Sequence, residues 1–265
     1  LAENDCNDSW VGCFNFQQSL NEIFTFAEIL GGVEMTIHFV REMEHLHRGI
    51  LAMCSTVEEL IHDAMDGLRS GRAELARELS GRDVEVDEWD VRIEEECLKI
   101  LALYHPVAND LRRVTVVMKI CGELERVADL AVSIAERASG LAEHAAFPMP
   151  ERLTEMTRES LSMLHDSIDA FVQQNAVLAR RVCQRDEAVD QLNRELIQEV
   201  VLMMKQRPDL VDPGLHLFSV IRHVERVADH ATNIAEDVVY LVEGAIIRHP
   251  RLPRRSGNLR IGGAE

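Results

Sequence analysis

Between Met35 and about His249 apolar residues recur every three or four positions, and Gly, Pro and small polar clusters cut the run into six segments. A period near 3.6 sustained over about 30 residues marks long helices that each bury one stripe. The pattern predicts helices over about 36–69, 73–104 and 106–143, then about 151–174, 176–206, and from Pro208 or Pro213 to about His249. Ser70-Gly71 closes the first, and Pro106 stops the second because its ring offers no N–H to the helix ladder. The stretch Ala145-Ala146-Phe147-Pro148-Met149-Pro150 breaks the period and divides the chain.

The expectation is therefore all-α: two tandem, pseudo-symmetric three-helix bundles over 35–146 and 147–249. Residues 1–34 match neither half. That leader is expected to be disordered or a short helix with Leu20, Ile23, Phe24 and Ala27 along one face, while Met35 reads as a natural start. Residues 250–265 hold four arginines with Pro and Gly but no apolar stripe, which predicts a mobile tail.

The halves repeat each other in detail. Leu124-Glu125-Arg126-Val127-Ala128-Asp129-Leu130-Ala131-Val132-Ser133-Ile134-Ala135-Glu136 returns 100 residues later as Val224-Glu225-Arg226-Val227-Ala228-Asp229-His230-Ala231-Thr232-Asn233-Ile234-Ala235-Glu236, identical at nine of thirteen positions. Arg82-Asp83-Val84-Glu85-Val86-Asp87 echoes in Arg185-Asp186-Glu187-Ala188-Val189-Asp190 at an offset of 103. Each half thus holds two carboxylate pairs at i and i+4. Such residues lie about 40° apart on a helix, with Cβ atoms roughly 6 Å apart, so both acids of a pair point the same way.

Heptad phase says which way that is. Val117, Ile120, Leu124, Val127, Ala131 and Ile134 form the third helix's buried seam, and Glu125 and Asp129 lie well over 100° from its centre. On the second helix Val86, Trp89, Ile93, Cys97 and Ile100 form the seam, with Asp83 and Asp87 at its flank, roughly 90° away. The fifth and sixth helices repeat this with Val189, Leu192, Leu196, Val200 and Met203, and with Leu217, Val220, Val224, Val227, Ala231 and Ile234. Short connections set the second helix beside the third, so four carboxylates are expected to meet on each of two outward-facing grooves. Oxygen-only ligation suits hard cations such as Mg²⁺, Ca²⁺, Mn²⁺ or iron.

Composition narrows the classes. The 265 residues are 46% hydrophobic but only 5% aromatic, as packed helices of Leu, Val, Ile, Ala and Met require. A net charge of -18 with no dense Lys/Arg run argues against nucleic acid or anionic lipid as a partner. No run approaches the roughly 20 apolar residues of a membrane span, and the first 34 residues contain no Lys or Arg to begin a secretory signal. Cys6, Cys13, Cys54, Cys97, Cys121 and Cys183 form no CxxC pair, which fits a reducing cytoplasm and helix-packing thiols.

In so acidic a chain, chance alone gives about eight acid pairs at i,i+4, most of them solvated faces or partners of arginine. Recurrence of four pairs at matched heptad positions is what separates these from chance.

These ExxxD and DxxxD pairs, with Glu94-Glu95-Glu96-Cys97-Leu98, Pro106-Val107-Ala108-Asn109-Asp110-Leu111-Arg112-Arg113 and Asp229-His230-Ala231-Thr232-Asn233-Ile234-Ala235-Glu236, resemble the PhoU family of phosphate-transport accessory proteins. The resemblance covers about 35–249. It implies a non-enzymatic negative regulator that couples the phosphate ABC transporter ATPase to a sensor histidine kinase. It also implies multinuclear metal clusters, iron first and Zn, Ni, Mn or Mg as alternatives. One set would use Asp83, Asp87, Glu125 and Asp129, the other Asp186, Asp190, Glu225 and Asp229. A homodimer and a cytoplasmic place, peripheral to the inner membrane through partners, go with it. Leu130 stands where the second half has His230, and Ser133 where it has Asn233, so the two sites are expected to be unequal.

Two other classes compete. A metal-free helical adaptor would use the acidic grooves to hold arginine-rich surfaces. A ferritin-like di-iron oxidase would use the ExxH spacings Glu42/His45, Glu44/His47 and Glu59/His62, but these sit on one helix and lack counterparts in the fourth. No nucleophile elbow or P-loop supports other catalysis. His216, His223 and His230, seven residues apart on the sixth helix, read as surface or interface residues.

Overall fold

A computed structural model describes residues 33–70, 74–144, 147 and 149–248. The leader through residue 32 and the tail from 249 lie outside the described residues, and with them the short leader helix and the mobile tail expected from sequence. The elements are α1 (Val33–Ser70), α2 (Leu75–Tyr104), α3 (Ala108–Ala142), α4 (Glu151–Val172), α5 (Ala176–Gln206), a 3-10 turn (Pro208–Leu210) and α6 (Val211–Glu243). The described chain is all-α, two three-helix bundles in tandem.

Helix ends follow local chemistry. His105, with φ 46°, turns the chain out of α2 just ahead of Pro106, and α3 begins at Ala108. Asn175 caps α5 through its side-chain oxygen, which accepts from the Val177 and Leu178 N–H groups. Pro213 lies inside the first turn of α6, where its missing N–H costs no intrahelical bond. The sixth helix stops at Glu243, short of the expected His249. Gly244 adopts φ 68°, a left-handed conformation that glycine takes without a Cβ penalty, and its N–H donates to the Tyr240 carbonyl.

The predicted seams are buried. All six seam residues of α3 and all six of α6 are core, as are Val86, Ile93, Cys97 and Ile100 on α2 and Val189, Leu196 and Val200 on α5. Trp89, Leu192 and Met203 sit at the core's edge. Two arginines that sequence reasoning passed over pin the bundles, one in each. Arg82 on α2 donates to Asp63 (2.7 Å) and Glu59 (2.9 Å) of α1, and Arg185 on α5 donates to Asp166 (2.5 Å) and Glu159 (2.6 Å) of α4.

The bundles are also joined to each other. Glu123 meets His230, Lys119 meets Asp237, Arg112 donates to the Leu241 carbonyl, and Gly140 faces His216, so α3 and α6 run antiparallel in contact. A Cβ at Gly140 would come within 2.6 Å of the His216 ring, so glycine permits this close crossing. On the α1–α4 side His165 Nδ1 lies 2.8 Å from Glu58 Oε1. Among the described residues no helix is long and apolar enough to cross a membrane.

Candidate metal centres

In the second half, Asp190 on α5 and Glu225 and Asp229 on α6 place carboxylate oxygens within 4.8 Å of one another. Among the described residues no other set of three His, Cys, Asp or Glu side chains converges as tightly. Asp229 is exposed and Asp190 half-buried, but Glu225 is only 9% exposed, which corrects the expectation that it faces outward. The reason is the neighbouring helix of its own bundle: Asn193 of α5 lies against Glu225, so a position far from the α6 seam is covered from across the α5–α6 groove.

The partners of Glu225 are specific. Its Oε1 accepts from Arg222 Nη1 at 2.9 Å and from Asn193 Nδ2 at 3.4 Å. Its Oε2, and Asn193 Oδ1 beside it, are buried with no hydrogen-bond partner. Buried acceptors without a donor are costly, on the order of 1–3 kcal/mol each, and a cation satisfies them. Asp186 is held slightly apart from the trio, accepting from Thr232 Oγ1 at 3.0 Å.

Electrostatics agree with the geometry. Burial, then Glu225, Asp186 and Asp190, push the Asp229 carboxyl up to about 6. Asp186 is raised by burial and by Asp190 and Glu187, against the opposing Thr232 hydrogen bond.

The first half brings the matching acids together more loosely. Burial, then Asp129 and Asp87, push Asp83 up to about 6. Glu125 is raised by burial and by Asp129, Asp90 and Asp87, with Arg126 opposing. Asp87 and Asp129 are exposed, Asp83 and Glu125 half-buried. Asp90, at the place Asn193 takes in the second half, adds a fifth carboxylate. It also faces the buried Cys121 thiol, which burial and Asp90 hold protonated. Neither Asp90 nor Asn193 was picked out from sequence, although both sit three residues after the second aspartate of a carboxylate pair, at the same 103-residue offset as the repeat.

The residues that make the halves unequal serve a different purpose from the one expected. His230 Nδ1 lies 2.7 Å from Glu123 Oε2, and Asn233 Nδ2 donates to the same oxygen at 3.0 Å. The differences at Leu130/His230 and Ser133/Asn233 thus build the α3–α6 contact.

Against these geometries, the comparisons with known proteins are consistent throughout. A family model described as the PhoU domain matches twice, over residues 50–138 and 153–238. The chain belongs to the PhoU family. A phosphate-specific transport system accessory protein PhoU homolog of Aquifex aeolicus is 36% identical over 81% of this chain and 97% of its own length. The crystal structure of PhoU from Pseudomonas aeruginosa superposes with a TM-score of 0.76 at 34% identity, covering 78% of this chain and 100% of that one. The structure of the phosphate transport system regulatory protein PhoU from Streptococcus pneumoniae gives 0.73 at 33% identity, over 79% and 99%. Both PhoU repeats span the helices that carry the carboxylates, α2 with α3 and α5 with α6.

The raised carboxyls make a pH prediction for metal-free protein. Asp83 and Asp229 titrate near 6 when folded, against 3.8 as the ordinary value. The folded state therefore binds more protons between about 4 and 6, and stability falls as pH rises through that window. Exposure screens the effect to about 1 kcal/mol per site. Urea unfolding after chelation should find Asp83→Asn with Asp229→Asn about 1–2 kcal/mol more stable than wild type at pH 7, with the gap closing near pH 4. A gap independent of pH would show that the acids do not repel one another.

Proposed function

We propose that this chain is a negative regulator of phosphate uptake and of the phosphate-starvation response. It couples the ATPase of a phosphate ABC transporter to a sensor histidine kinase and acts by docking rather than by catalysis. It binds multinuclear metal clusters, iron foremost and Zn, Ni, Mn or Mg as alternatives, through Asp83, Asp87, Glu125 and Asp129 and through Asp186, Asp190, Glu225 and Asp229. It works in the cytoplasm, alone or as a homodimer, and reaches the inner membrane through its partners.

The printed roles of its relatives, accessory and regulatory proteins of phosphate transport, support the regulatory part. The metal part rests on one observation: three converging carboxylates whose buried member, Glu225, has an oxygen without a donor. Metal there would supply positive charge, cancelling repulsion between α5 and α6 and fixing the groove's shape. Thr232, Arg222 and Asn193 orient Asp186 and Glu225 from behind.

The di-iron alternative is poorly supported. Four of its six residues are engaged elsewhere: Glu42 with Lys99 at 2.7 Å, His45 with Glu96 at 2.9 Å, Glu59 with Arg82 at 2.9 Å and His62 with Asp66 at 3.6 Å.

A chromosomal deletion should leave phosphate-starvation genes active in phosphate-rich medium, read with a promoter reporter, and the wild-type gene should silence them. Asp129→Ala with Asp229→Ala should restore silencing only in part. Unchanged reporter activity on deletion would sink the regulatory reading. Full silencing by the double variant would sink the role given to the metal clusters.

A further inference from the structure

The outer face of α2 carries an apolar stripe that nothing in the described structure covers. Val84, Val91 and Leu98 are 54%, 57% and 52% exposed. Set seven residues apart, they fall nearly on one line along the helix, about 21 Å from end to end. A lone exposed apolar side chain needs no explanation, but three in register do.

The duplicated helix supplies the comparison. At the 103-residue offset, Val84 and Val91 correspond to Glu187 and Arg194 on α5, which form an ion pair at 2.7 Å. At these two places the α5 face is thus a self-paired, solvated surface, and only at the third, where the half-buried Val201 matches Leu98, is it apolar. The α2 face carries hydrocarbon at the same places, so the stripe is not a requirement of the repeat.

Charge identifies the occupant. Asp87 and Glu94 on one side, and Glu88 and Glu95 on the other, lie within about 60° of the stripe. All four are exposed. The bases beside them are engaged, Lys99 with Glu42 at 2.7 Å and Arg92 over the Trp89 ring at 4.6 Å. The exposed Arg77 lies two turns before the stripe begins.

We propose that this face docks an amphipathic helix of a partner protein, with apolar residues at heptad spacing and Lys or Arg on both flanks. The valines and leucine fill its apolar seam, and the glutamates pair with its basic edges. A second copy of this chain would set acid flank against acid flank, in a molecule of net charge -18. Of this acidic flank only Asp87 also belongs to a carboxylate groove, and Glu88, Glu94 and Glu95 do not, so the docking needs no bound metal.

The probe is a synthetic 21-residue helix with Leu and Ile at a and d and Lys and Arg at e and g, titrated against the full chain by fluorescence anisotropy. Controls are a peptide of the same composition whose apolar residues share no face, and one with Glu at e and g. Wild type should bind the basic amphipathic peptide and neither control. Val91→Glu and Leu98→Glu, at solvent-facing positions whose folding circular dichroism checks, should each weaken binding at least tenfold. Glu88→Lys with Glu95→Lys should weaken it and flatten its salt dependence. Equal binding of the composition control, or unchanged binding by both glutamate variants, would overturn the proposal. A dimer by light scattering that Val91→Glu dissolves would assign the face to a second copy instead. Tighter probe binding after Arg251, Arg254, Arg255 and Arg260 are all changed to Glu would assign it to the chain's own arginines.

Discussion

Asp190→Ala combined with Asp229→Ala should empty the second site of metal and, in chelated protein, leave the fold more stable than wild type. The two effects have one cause. Asp190, Glu225 and Asp229 bring negative oxygens within 4.8 Å of one another, and burial, then that crowding, lifts Asp229 to about 6. Removing two of the three charges relieves the repulsion, worth about 1 kcal/mol after screening. Asp-to-Ala changes on a helix add roughly 0.5 kcal/mol each from propensity. The same change removes two of three converging ligands, and affinity for a hard cation should fall at least 100-fold, since such binding scales with the number and charge of oxygen ligands. Elemental analysis of protein purified without chelator, set beside urea unfolding with and without chelator, reads both. Unchanged metal content would locate the metal elsewhere. A loss of more than about 1 kcal/mol in chelated protein would make these acids structural, in which case metal binding is not why they converge.

Much of this site is legible in the sequence because helix periodicity is a local property. Asp83, Asp87, Glu125 and Asp129, with their repeats, are phased by the same 100° per residue that buries Val117, Ile120 and Leu124. Arg82 and Arg185 head the two echoed segments, so the repeat held the signal for both pins as well. Glu225 shows where such reading stops. Its angle from the α6 seam says exposed, yet it is buried, because Asn193 of α5 lies against it and a helical wheel of one helix does not show what its neighbour covers. Asp237, at 1% exposure, is hidden instead where α6 meets α3, and is paired from outside its own bundle by Lys119 at 3.3 Å, with Arg248 as a second partner.

Helix ends divide in a similar way. Tyr104 ends α2 beside a proline that sequence can see. Glu243 ends α6 at Gly244, whose backbone sits so close to Arg112 of the other bundle that a Cβ would lie 2.9 Å from the guanidinium. That closeness belongs to the α3–α6 crossing. Asn193 and Asp90 were overlooked because their role depends on what faces them across the groove. An amide in the second half donates to a buried glutamate, while a carboxylate in the first adds charge beside Glu125.

Leu124→Ala is the second large effect and separates the scaffold from the site it carries. Leu124 is fully buried at the centre of the first bundle's core, flanked in sequence by Glu123, which reaches the other bundle, and Glu125, which faces the first carboxylate groove. Truncation removes several buried carbons and leaves a cavity that long, interlocked helices close only in part, so the cost should be about 3–4 kcal/mol. Val224→Ala, its counterpart in the second bundle, removes less volume and should cost about 2 kcal/mol. Urea unfolding with circular dichroism measures both. At pH 7, where enough folded protein remains, metal content should stay near wild type in each variant, because Glu125 and Asp129 leave the helix on the side away from the cavity. A cost below about 1 kcal/mol for Leu124→Ala would mean that the core relaxes around the gap. Loss of metal alongside an intact fold would mean that the groove's geometry depends on packing beneath it, and the carboxylates would then be positioned by the core as much as by their own helices.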